Sequence, residues 1–296
     1  MLDDVTAWLY VPGIRPELFS KAAAAADGIV IDLEDAVRPS MRVEARHQVA
    51  AFFERQRVDV PVLVRINPVG SSDINKDLEL LEPLVRRGQI DGIRLSKIDR
   101  VDQVEWMASA TREWSESPIL ICQLESARAV RNAFEIADAE GVHSIMLGEG
   151  DLRADLNLPL GTAGDPGLLF ARQTVVVASR AAGLPSPVGS AFTNVQDDTA
   201  LRVTSMELRA FGFFGRSCIH PRQVAVVRAA FASSEQERAA AEQIVVRASE
   251  AADDESSAAV TASGAFVDPA IVKHAQSVLR RVRSHGRGNM PGGLWR

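Results

Sequence analysis

The stretch "SIMLGEGDLRADL" at residues 144–156 begins as a short apolar strand and then runs into a glycine and two acids, Glu149 and Asp151. Near-continuous apolar runs are typical of strands that are buried on both faces of a parallel sheet. Acids directly after such a strand are compatible with a turn or helix cap and also with a metal site. The rest of the chain must decide between these interpretations.

Seven similar runs occur elsewhere in the first 221 residues, and helical patterns separate them. The eight runs are "AWLYVPG" (7–13), "GIVIDLED" (28–35), "VPVLVRINP" (60–68), "DGIRLSKI" (91–98), "PILICQLES" (118–126), "HSIMLGEGD" (143–151), "PSPVGSAF" (185–192) and "GFFGRSCIHP" (212–221). This regular alternation predicts an α/β chain with a (β/α)₈ TIM barrel. The alternative is an open doubly wound sheet, against which the near-uniform unit length and the lack of a glycine-rich first turn count.

The pattern changes after residue 230. A long polar helix with a Ser/Glu start signal is followed by a short predicted hairpin around Gly264 and a helix that starts at Pro269. We therefore predict a barrel over residues 1–230, a C-terminal helical arm and lid segment over 231–285, and a disordered tail over 286–296.

The composition excludes several classes of protein. The chain has 296 residues, of which 46% are hydrophobic and 24% charged, and its net charge of −6 argues against nucleic-acid binding. No apolar run approaches the roughly 20 residues of a membrane helix, and the acidic N-terminus does not resemble a signal peptide. We expect a cytoplasmic protein with no membrane partner. Cys122 and Cys218 lie in apolar runs and are expected to be reduced core thiols.

Charged residues follow most of the predicted strands. They are Asp32, Glu34 and Asp35 after the second strand, Arg65 after the third, Lys97 after the fourth, Glu125 after the fifth, Glu149 and Asp151 after the sixth, and His220 after the eighth. In a (β/α)₈ barrel the carboxyl ends of all strands meet at one face, where the active site lies. The sequence therefore predicts that these side chains converge there.

Glu125 and Asp151 come from neighbouring strands. Two carboxylates with this spacing suit Mg²⁺, which keeps several waters and takes its other ligands from substrate oxygens. The alternative is that each acid caps the helix that follows it.

The cationic residues also have two interpretations each. Arg65 could bind a carboxylate or an enolate oxygen, or it could form an internal ion pair with Asp32 or Glu34. Lys97 is either a pocket cation or a solvated side chain. His220, directly before a proline, is typical of a structural turn.

Several motifs together resemble a known family. They are "WLYVPGIRPELFSKA", "DGIVIDLEDAV", "VRINP", "QLESARAV", "GEGDLRADL", "SCIHPRQV" and "GAFVDPAIVKHA". In collinear order over about residues 6–280, they resemble the HpcH/HpaI aldolase and citrate lyase superfamily. The closest resemblance is to its CitE-like branch of citrate lyase beta-subunit-like proteins and malyl-/citramalyl-CoA lyases.

This resemblance implies a Mg²⁺-dependent barrel that assembles as a homotrimer or hexamer. Glu125 in "LES" and Asp151 in "GDL" match the metal ligands of the family. Arg65 in "RIN" matches an arginine that contacts the acid substrate and the developing enolate. Asp32 and Glu34 in "IDLED" match acids near the metal-bound waters.

Asp268 in "FVD" matches a catalytic aspartate on a C-terminal lid that inserts into a neighbouring subunit. Without the resemblance, Asp268 would be interpreted as an N-cap before Pro269. Arg15 and Lys21 are candidates for binding the phosphates of coenzyme A, with a solvated surface as the alternative. Lys97 completes the predicted substrate-binding set.

The resemblance implies a carbon–carbon lyase that reversibly cleaves a short β-hydroxyacyl-CoA, such as malyl-CoA or citramalyl-CoA, to acetyl-CoA and a 2-oxo acid. The alternatives are a citrate lyase beta subunit that acts on an acyl-carrier-bound citryl thioester, a 4-hydroxy-2-oxo acid aldolase and an acyl-CoA thioesterase. The chain departs from the family pattern at Ser96, Asp99, Gly189 and Asn194. We therefore expect an intact metal site and a different wall at the seventh strand.

Overall fold

The structure is a computed structural model that describes residues 2–114, 118–253, 259–260 and 266–286. Contacts between Cα atoms divide the chain into two compact units, Met1–Ala230 and Phe231–Arg296. The first unit contains the main sheet and ten α-helices of the described residues.

Eight parallel strands form the main sheet of the first unit. They are β1 (Ala7–Pro12), β2 (Gly28–Asp32), β3 (Val62–Ile66), β4 (Gly92–Leu95), β5 (Ile119–Leu124), β6 (Val142–Leu147), β7 (Val188–Gly189) and β8 (Gly215–Cys218). Their order, β6-β5-β4-β3-β2-β1-β8-β7, is that of a barrel read once around from one side of a single seam to the other side. The predicted (β/α)₈ barrel is confirmed, and each predicted run contains one strand.

The seam of the barrel lies between β6 and β7. Within residues 142–190, all of which the structure describes, no strand ladder joins these two strands. The Ser190 side chain bridges them instead, because its hydroxyl donates to the Leu147 carbonyl and accepts the Glu149 N–H at 3.0 Å. The short β7 follows from the prolines and glycine that dilute this run.

Helices surround the sheet. They are α1 (Phe19–Ala25), α2 (Arg42–Arg55), α3 (Ile74–Arg86), α4 (Val101–Ala110), α5 (Ala127–Arg131), α6 (Ala133–Ala137), α7 (Glu149–Asp155), α8 (Asp165–Ala181), α9 (Asp198–Ala210) and α10 (Pro221–Phe231). The pattern at 127–141 predicts one helix, but two short helices form. Asn132 separates the two helices, because its side-chain amide donates to the Asp99 carbonyl at 2.8 Å.

Part of the interior of the barrel is an apolar cluster of buried side chains. Trp8 lies at its centre with Val30, Leu63, Ile121 and other buried residues. The indole occupies the space directly over Gly28 on the neighbouring strand, and a Cβ atom there would lie 2.6 Å from Trp8 Cζ3. A glycine is therefore required opposite this tryptophan.

The second unit contains two helices, α11 (Glu235–Asp253) and α12 (Pro269–Gly286), which pack against each other. Ser234 and Glu237 cap α11 reciprocally, as the sequence predicts. The short strands β9 (Ala259–Val260) and β10 (Phe266–Val267) pair antiparallel. The predicted turn around Gly264 and the tail after residue 286 lie outside the described residues.

Neither unit contains a membrane span in its described part, since no helix there combines the length and the apolar character needed to cross a bilayer.

The Trp8–Gly28 contact gives a test of the core. We expect Gly28→Ala to lower the free energy of unfolding by about 1–3 kcal/mol, because the indole must shift within a filled interior. Urea denaturation measures this change. Gly150→Ala is the control, since nothing lies within 4 Å of a Cβ added there. Equal stability of the two variants would contradict the role of Trp8 in the core.

Candidate active site

A cavity of about 430 Å³ opens at the carboxyl ends of the strands. Its walls carry polar side chains from seven strands or the loops after them, together with apolar neighbours. The polar lining consists of Tyr10, Asp32, Asp35, Arg65, Gln123, Glu149, Ser190, Thr193 and Ser217. Among the charged residues predicted to converge at this face, four line the cavity directly: Asp32, Asp35, Arg65 and Glu149.

Four carboxylates surround the ammonium group of Lys97. Its Nζ lies 2.5 Å from Glu34 Oε1, 3.0 Å from Asp151 Oδ2, and 3.6 Å from both Glu125 Oε2 and Asp35 Oδ1. Burial alone would lower the pKa of Lys97, but these carboxylates raise it above its ordinary value. Lys97 is thus a cation of the site, which excludes the interpretation as a purely solvated side chain.

The backbone of Lys97 also marks this position. Its φ of +53° lies in the left-handed region, which a non-glycine residue adopts at a cost of about 1 kcal/mol. The surrounding carboxylates offset this cost by holding the ammonium group. Their convergence creates a position with a strong preference for positive charge.

Arg65 forms the internal ion pair that the sequence left open. Its Nε donates to Asp32 Oδ1 at 2.8 Å and its Nη2 to Oδ2 at 2.5 Å. Nη1 lies 3.1 Å from Glu34 Oε2 and 3.3 Å from Asp35 Oδ2. Burial would lower the pKa of Arg65, but the bonds to Asp32 outweigh it and raise that pKa. The guanidinium is therefore charged and fixed in orientation.

Asp32 also shapes the loop after β2. Its two carboxylate oxygens accept the N–H groups of Glu34 at 3.0 Å and Ala36 at 3.1 Å. One side chain thus orients Arg65 and fixes the backbone that carries Glu34. Burial raises the pKa of Glu34, although Arg65 and Lys97 act in the opposite direction.

Glu125 is the carboxylic acid of the site with the most strongly shifted pKa. Burial raises its pKa to about 7, and the neighbouring carboxylates of Glu34 and Asp151 add to the effect of burial. Among the described residues, no group donates a hydrogen bond to its Oε2 atom, which is itself buried. An orphaned buried carboxylate oxygen is a natural ligand for a hard cation.

The carboxylates of Glu125 and Asp151 fit a Mg²⁺ ion, which needs only one or two protein carboxylates. No group of three or more His, Cys, Asp or Glu side chains in the described part of the chain has the geometry of a complete metal cage. Half of the Asp151 side chain is exposed, at 52%, which leaves room for water. Gly148 is required beside Glu125, because any Cβ would collide with the Glu125 carboxylate.

Glu149 has a different environment from Asp151. Its carboxylate is buried in a bidentate pair with Arg172 on α8, with both distances at 2.8 Å. Asp165 also contacts Arg172, at 3.2 Å. Glu149 therefore ties the start of α7 to α8, and it does not point a free oxygen into the cavity.

The remaining predicted residues have environments of their own. Arg15 is exposed and pairs with Glu17, and Lys21 is exposed on α1. Asp268 belongs to the second unit, where its Oδ1 accepts the Ile271 N–H at 2.7 Å and caps α12. In the first unit, His220 Nδ1 accepts a backbone N–H at 3.1 Å, which makes it a turn residue.

Both cysteines are buried, and burial raises the pKa of each thiol to about 12. They are therefore unreactive core thiols.

The sequence did not predict the place of Tyr10, Gln123, Ser190 and Ser217, all of which line the cavity. Nor did it predict Arg172 as the partner of Glu149. Three of the lining residues lie within strands and point inward, so alternation along β1, β5 and β8 is the signal that could have found them. Arg172 carries no such signal, because its partner lies 23 residues away on another element.

Comparison with known proteins agrees with this architecture. A family model described as HpcH/HpaI aldolase/citrate lyase matches residues 6–221. The citrate lyase subunit beta-like protein of Mycobacterium tuberculosis (strain CDC 1551 / Oshkosh) is 31% identical over 278 residues, which covers 93% of this chain and 94% of that protein. A (3S)-malyl-CoA thioesterase of Cereibacter sphaeroides (strain ATCC 17023) is 29% identical over 236 residues and 76% of each chain.

Solved structures are also similar. The crystal structure of protein CitE from Mycobacterium tuberculosis in complex with magnesium, acetoacetate and coenzyme A has a TM-score of 0.73 and 30% sequence identity. The similarity covers 94% of this chain and 98% of that chain. A citrate lyase beta subunit from the same organism, complexed with oxaloacetate and magnesium, has a TM-score of 0.66, 31% identity, and coverage of 78% and 99%.

The resemblance seen in the sequence motifs is thus confirmed by the family model, by relatives along most of the chain and by structures with the same barrel. The chain belongs to the HpcH/HpaI aldolase/citrate lyase family.

Proposed function

We propose that this protein is a Mg²⁺-dependent carbon–carbon lyase that reversibly cleaves a short β-hydroxyacyl-CoA to acetyl-CoA and a 2-oxo acid. The observation that carries the proposal is that the carboxylates of Glu125, Asp151 and Glu34 converge on the Lys97 ammonium group at the mouth of the barrel. Structural relatives crystallised with magnesium, and in one case with coenzyme A, support it.

In this proposal Glu125 and Asp151 would hold the metal. When bound, Mg²⁺ would act as a Lewis acid that polarises the hydroxyl or oxo and carboxylate oxygens of the acid portion. Glu34 would accept hydrogen bonds from waters near that ion. Lys97 would remain beside the acid portion as a second positive charge.

Arg65 would stabilise the negative charge that develops on the thioester enolate. The two hydrogen bonds that the guanidinium donates to Asp32 fix it before substrate arrives, so that little reorganisation accompanies the reaction. Asp268 would accept the proton from the carbon that becomes the nucleophile in condensation, and would return it in cleavage. Arg15 and Lys21, both exposed, would contact the phosphates of coenzyme A.

Thioester hydrolysis is the second candidate function, because one relative is named as a (3S)-malyl-CoA thioesterase. The two reactions differ in their products. Cleavage of the carbon–carbon bond releases acetyl-CoA and a 2-oxo acid, whereas hydrolysis releases free coenzyme A. A screen of acyl-CoA thioesters with Mg²⁺ that measures all three products distinguishes them. Turnover of free 4-hydroxy-2-oxo acids alone would instead indicate an aldolase, and turnover of a carrier-bound citryl thioester alone a citrate lyase subunit.

We further propose a homotrimer or hexamer in which the lid inserts into a neighbouring subunit. Apolar side chains around α8 support such an assembly. Phe134, Leu156, Phe170 and Val177 line one open apolar cavity, and Phe170 is 76% exposed. Exposed aromatic surface of this kind is typical of a protein interface.

The buried Glu125 gives a test of the metal site. Its raised pKa means that folding favours the neutral form, so ionisation of Glu125 costs stability above its unfolded pKa and costs it fully above about pH 7. We expect Glu125→Gln to stabilise the metal-free protein by roughly 2–3 kcal/mol at pH 8 and by less at pH 5. Urea denaturation at the two pH values, in the presence of a chelator, measures this change.

Glu125→Gln should also lose metal binding and lyase activity. Glu149→Gln is the matched control, because it removes the partner of the buried Arg172 and should therefore destabilise the protein. A Glu125→Gln variant that is no more stable than the wild type at pH 8 would show that ionisation of the buried Glu125 does not destabilise the protein.

Asp268 can be tested without losing its helix cap. Asparagine caps helices as well as aspartate but cannot act as a general base. We expect Asp268→Asn to retain the thermal stability and metal affinity of the wild type while lyase activity falls by at least about 100-fold. Asp268→Ala serves as the control for the cap. Wild-type turnover by the asparagine variant would exclude Asp268 as the base.

Complementation tests the proposed lid exchange. Glu125→Gln lacks a working barrel site, and Asp268→Asn lacks a working lid. If each lid serves a neighbour, random co-assembly of co-expressed variants should restore roughly a quarter of the sites. Activity of purified mixed oligomers measures this fraction. Mixed oligomers without activity would mean that each lid serves its own barrel.

A further inference from the structure

An arginine lies inside the barrel, below the site. Arg94 is in register with Arg65 on β3 and Ile121 on β5, and it is 1% exposed. In the described part of the chain no carboxylate lies within 4 Å of its guanidinium. Its Nη1 donates to the Tyr10 hydroxyl at 2.7 Å and more weakly to Ser217 Oγ at 3.4 Å. Its strongest hydrogen-bond partner is thus a neutral hydroxyl that lines the cavity.

The hydrogen bonds that start at Arg94 have a fixed direction. A guanidinium only donates, so the Tyr10 oxygen must accept from Arg94. The Tyr10 proton is then directed to Gln123 Oε1, which lies 3.2 Å away. An amide that accepts through its oxygen presents its NH₂ group on the other side. The direction of the first bond therefore decides how the Gln123 amide is turned.

These hydrogen bonds form a relay from Arg94 through Tyr10 and Gln123, and the relay ends at Glu125, a candidate metal ligand. Gln123 Nε2 donates to Glu125 Oε1 in a short hydrogen bond. Only Oε1 is engaged in this way, while Oε2 has no hydrogen-bond donor in the described residues and lies on the side of Lys97. The relay therefore distinguishes the two oxygens of one carboxylate.

The Tyr10 ring is held in place independently of its hydroxyl. The guanidinium carbons of Arg65 and Arg94 lie 5.0 Å and 5.1 Å from the ring centroid, which is within the range of cation–π contacts. Removal of the hydroxyl alone should leave the ring where it is. The hydrogen-bond relay can thus be broken without emptying the interior of the barrel.

We propose that Tyr10 and Gln123 are positioning residues whose hydrogen bonds, directed by Arg94, occupy Glu125 Oε1 and leave Oε2 as the oxygen that faces the metal. This inference rests on the proposed function only in taking Glu125 as a ligand. It assigns no direct contact with substrate to the relay. Its consequence is a metal affinity that depends on a glutamine and a tyrosine hydroxyl.

Mn²⁺ binding, followed by electron paramagnetic resonance of the free ion, tests the relay without using activity. Gln123→Met keeps the length of the side chain but cannot donate. We expect it to weaken Mn²⁺ binding about 10-fold or more, as loss of a hydrogen-bond partner of a metal ligand generally does. Tyr10→Phe should weaken binding less, because Gln123 keeps its bond to Glu125 but loses the bond that orients it.

The double variant makes the test specific. If the hydroxyl acts only through Gln123, Tyr10→Phe should change nothing further in the Gln123→Met background. Additive losses would overturn the relay, and so would wild-type Mn²⁺ affinity in Gln123→Met. Should Gln123→Met fail to fold, wild-type affinity in Tyr10→Phe would still overturn it.

Gln89→Met is the matched control. Gln89 lies between α3 and β4, at the opposite end of the barrel, where its amide donates to the Phe53 carbonyl. We expect it to alter stability but not Mn²⁺ affinity, and equal loss of affinity in this variant would overturn the relay. A wild-type chain that binds no Mn²⁺ would contradict the proposed metal site itself, whereas wild-type binding with unaffected variants contradicts the relay alone.

Discussion

The bidentate pair between Asp32 and Arg65 is the interaction on which the mouth of the barrel depends. Asp32 holds the guanidinium and also accepts the backbone N–H groups that fix the loop after β2. That loop carries Glu34, which holds the Lys97 ammonium group. The Lys97 ammonium group in turn lies 3.6 Å from Glu125 and 3.0 Å from Asp151. A buried charge must be paired, and here each pair positions the next one.

The barrel and most of its mouth could be predicted from the sequence. The eight apolar runs place eight strands, because strands buried on both faces need continuous apolar sequence. The charged residues at the ends of those runs converge, because parallel strands present their carboxyl ends at one face. The relative orientation of side chains within that face could not be predicted. The sequence left open whether Arg65 pairs with Asp32, and it did not show that Lys97 lies among four carboxylates.

Tertiary contacts override local patterns at several points. The single helix predicted at 127–141 divides at Asn132, whose amide bonds to a distant carbonyl. Glu149 and Asp151 are two residues apart and appear equivalent in sequence. In the structure, α8 brings Arg172 to Glu149, whereas the Asp151 side chain stays about half exposed. Alternation along a strand can mark a residue such as Arg94 as facing inward, but its hydrogen-bond partners come from other strands, which the local sequence does not show.

The seam at Ser190 has a consequence for how this fold can change. Ladders join each strand to the next from β6 round to β7, so a shift in one strand would propagate to its neighbours. β7 joins β6 through a single hydroxyl, and its own sequence is diluted by proline and glycine. Substitutions and insertions around this strand would therefore disturb few ladder hydrogen bonds, because β7 pairs with β8 over two residues only. The wall at β7 is therefore the part of the cavity whose sequence the sheet constrains least.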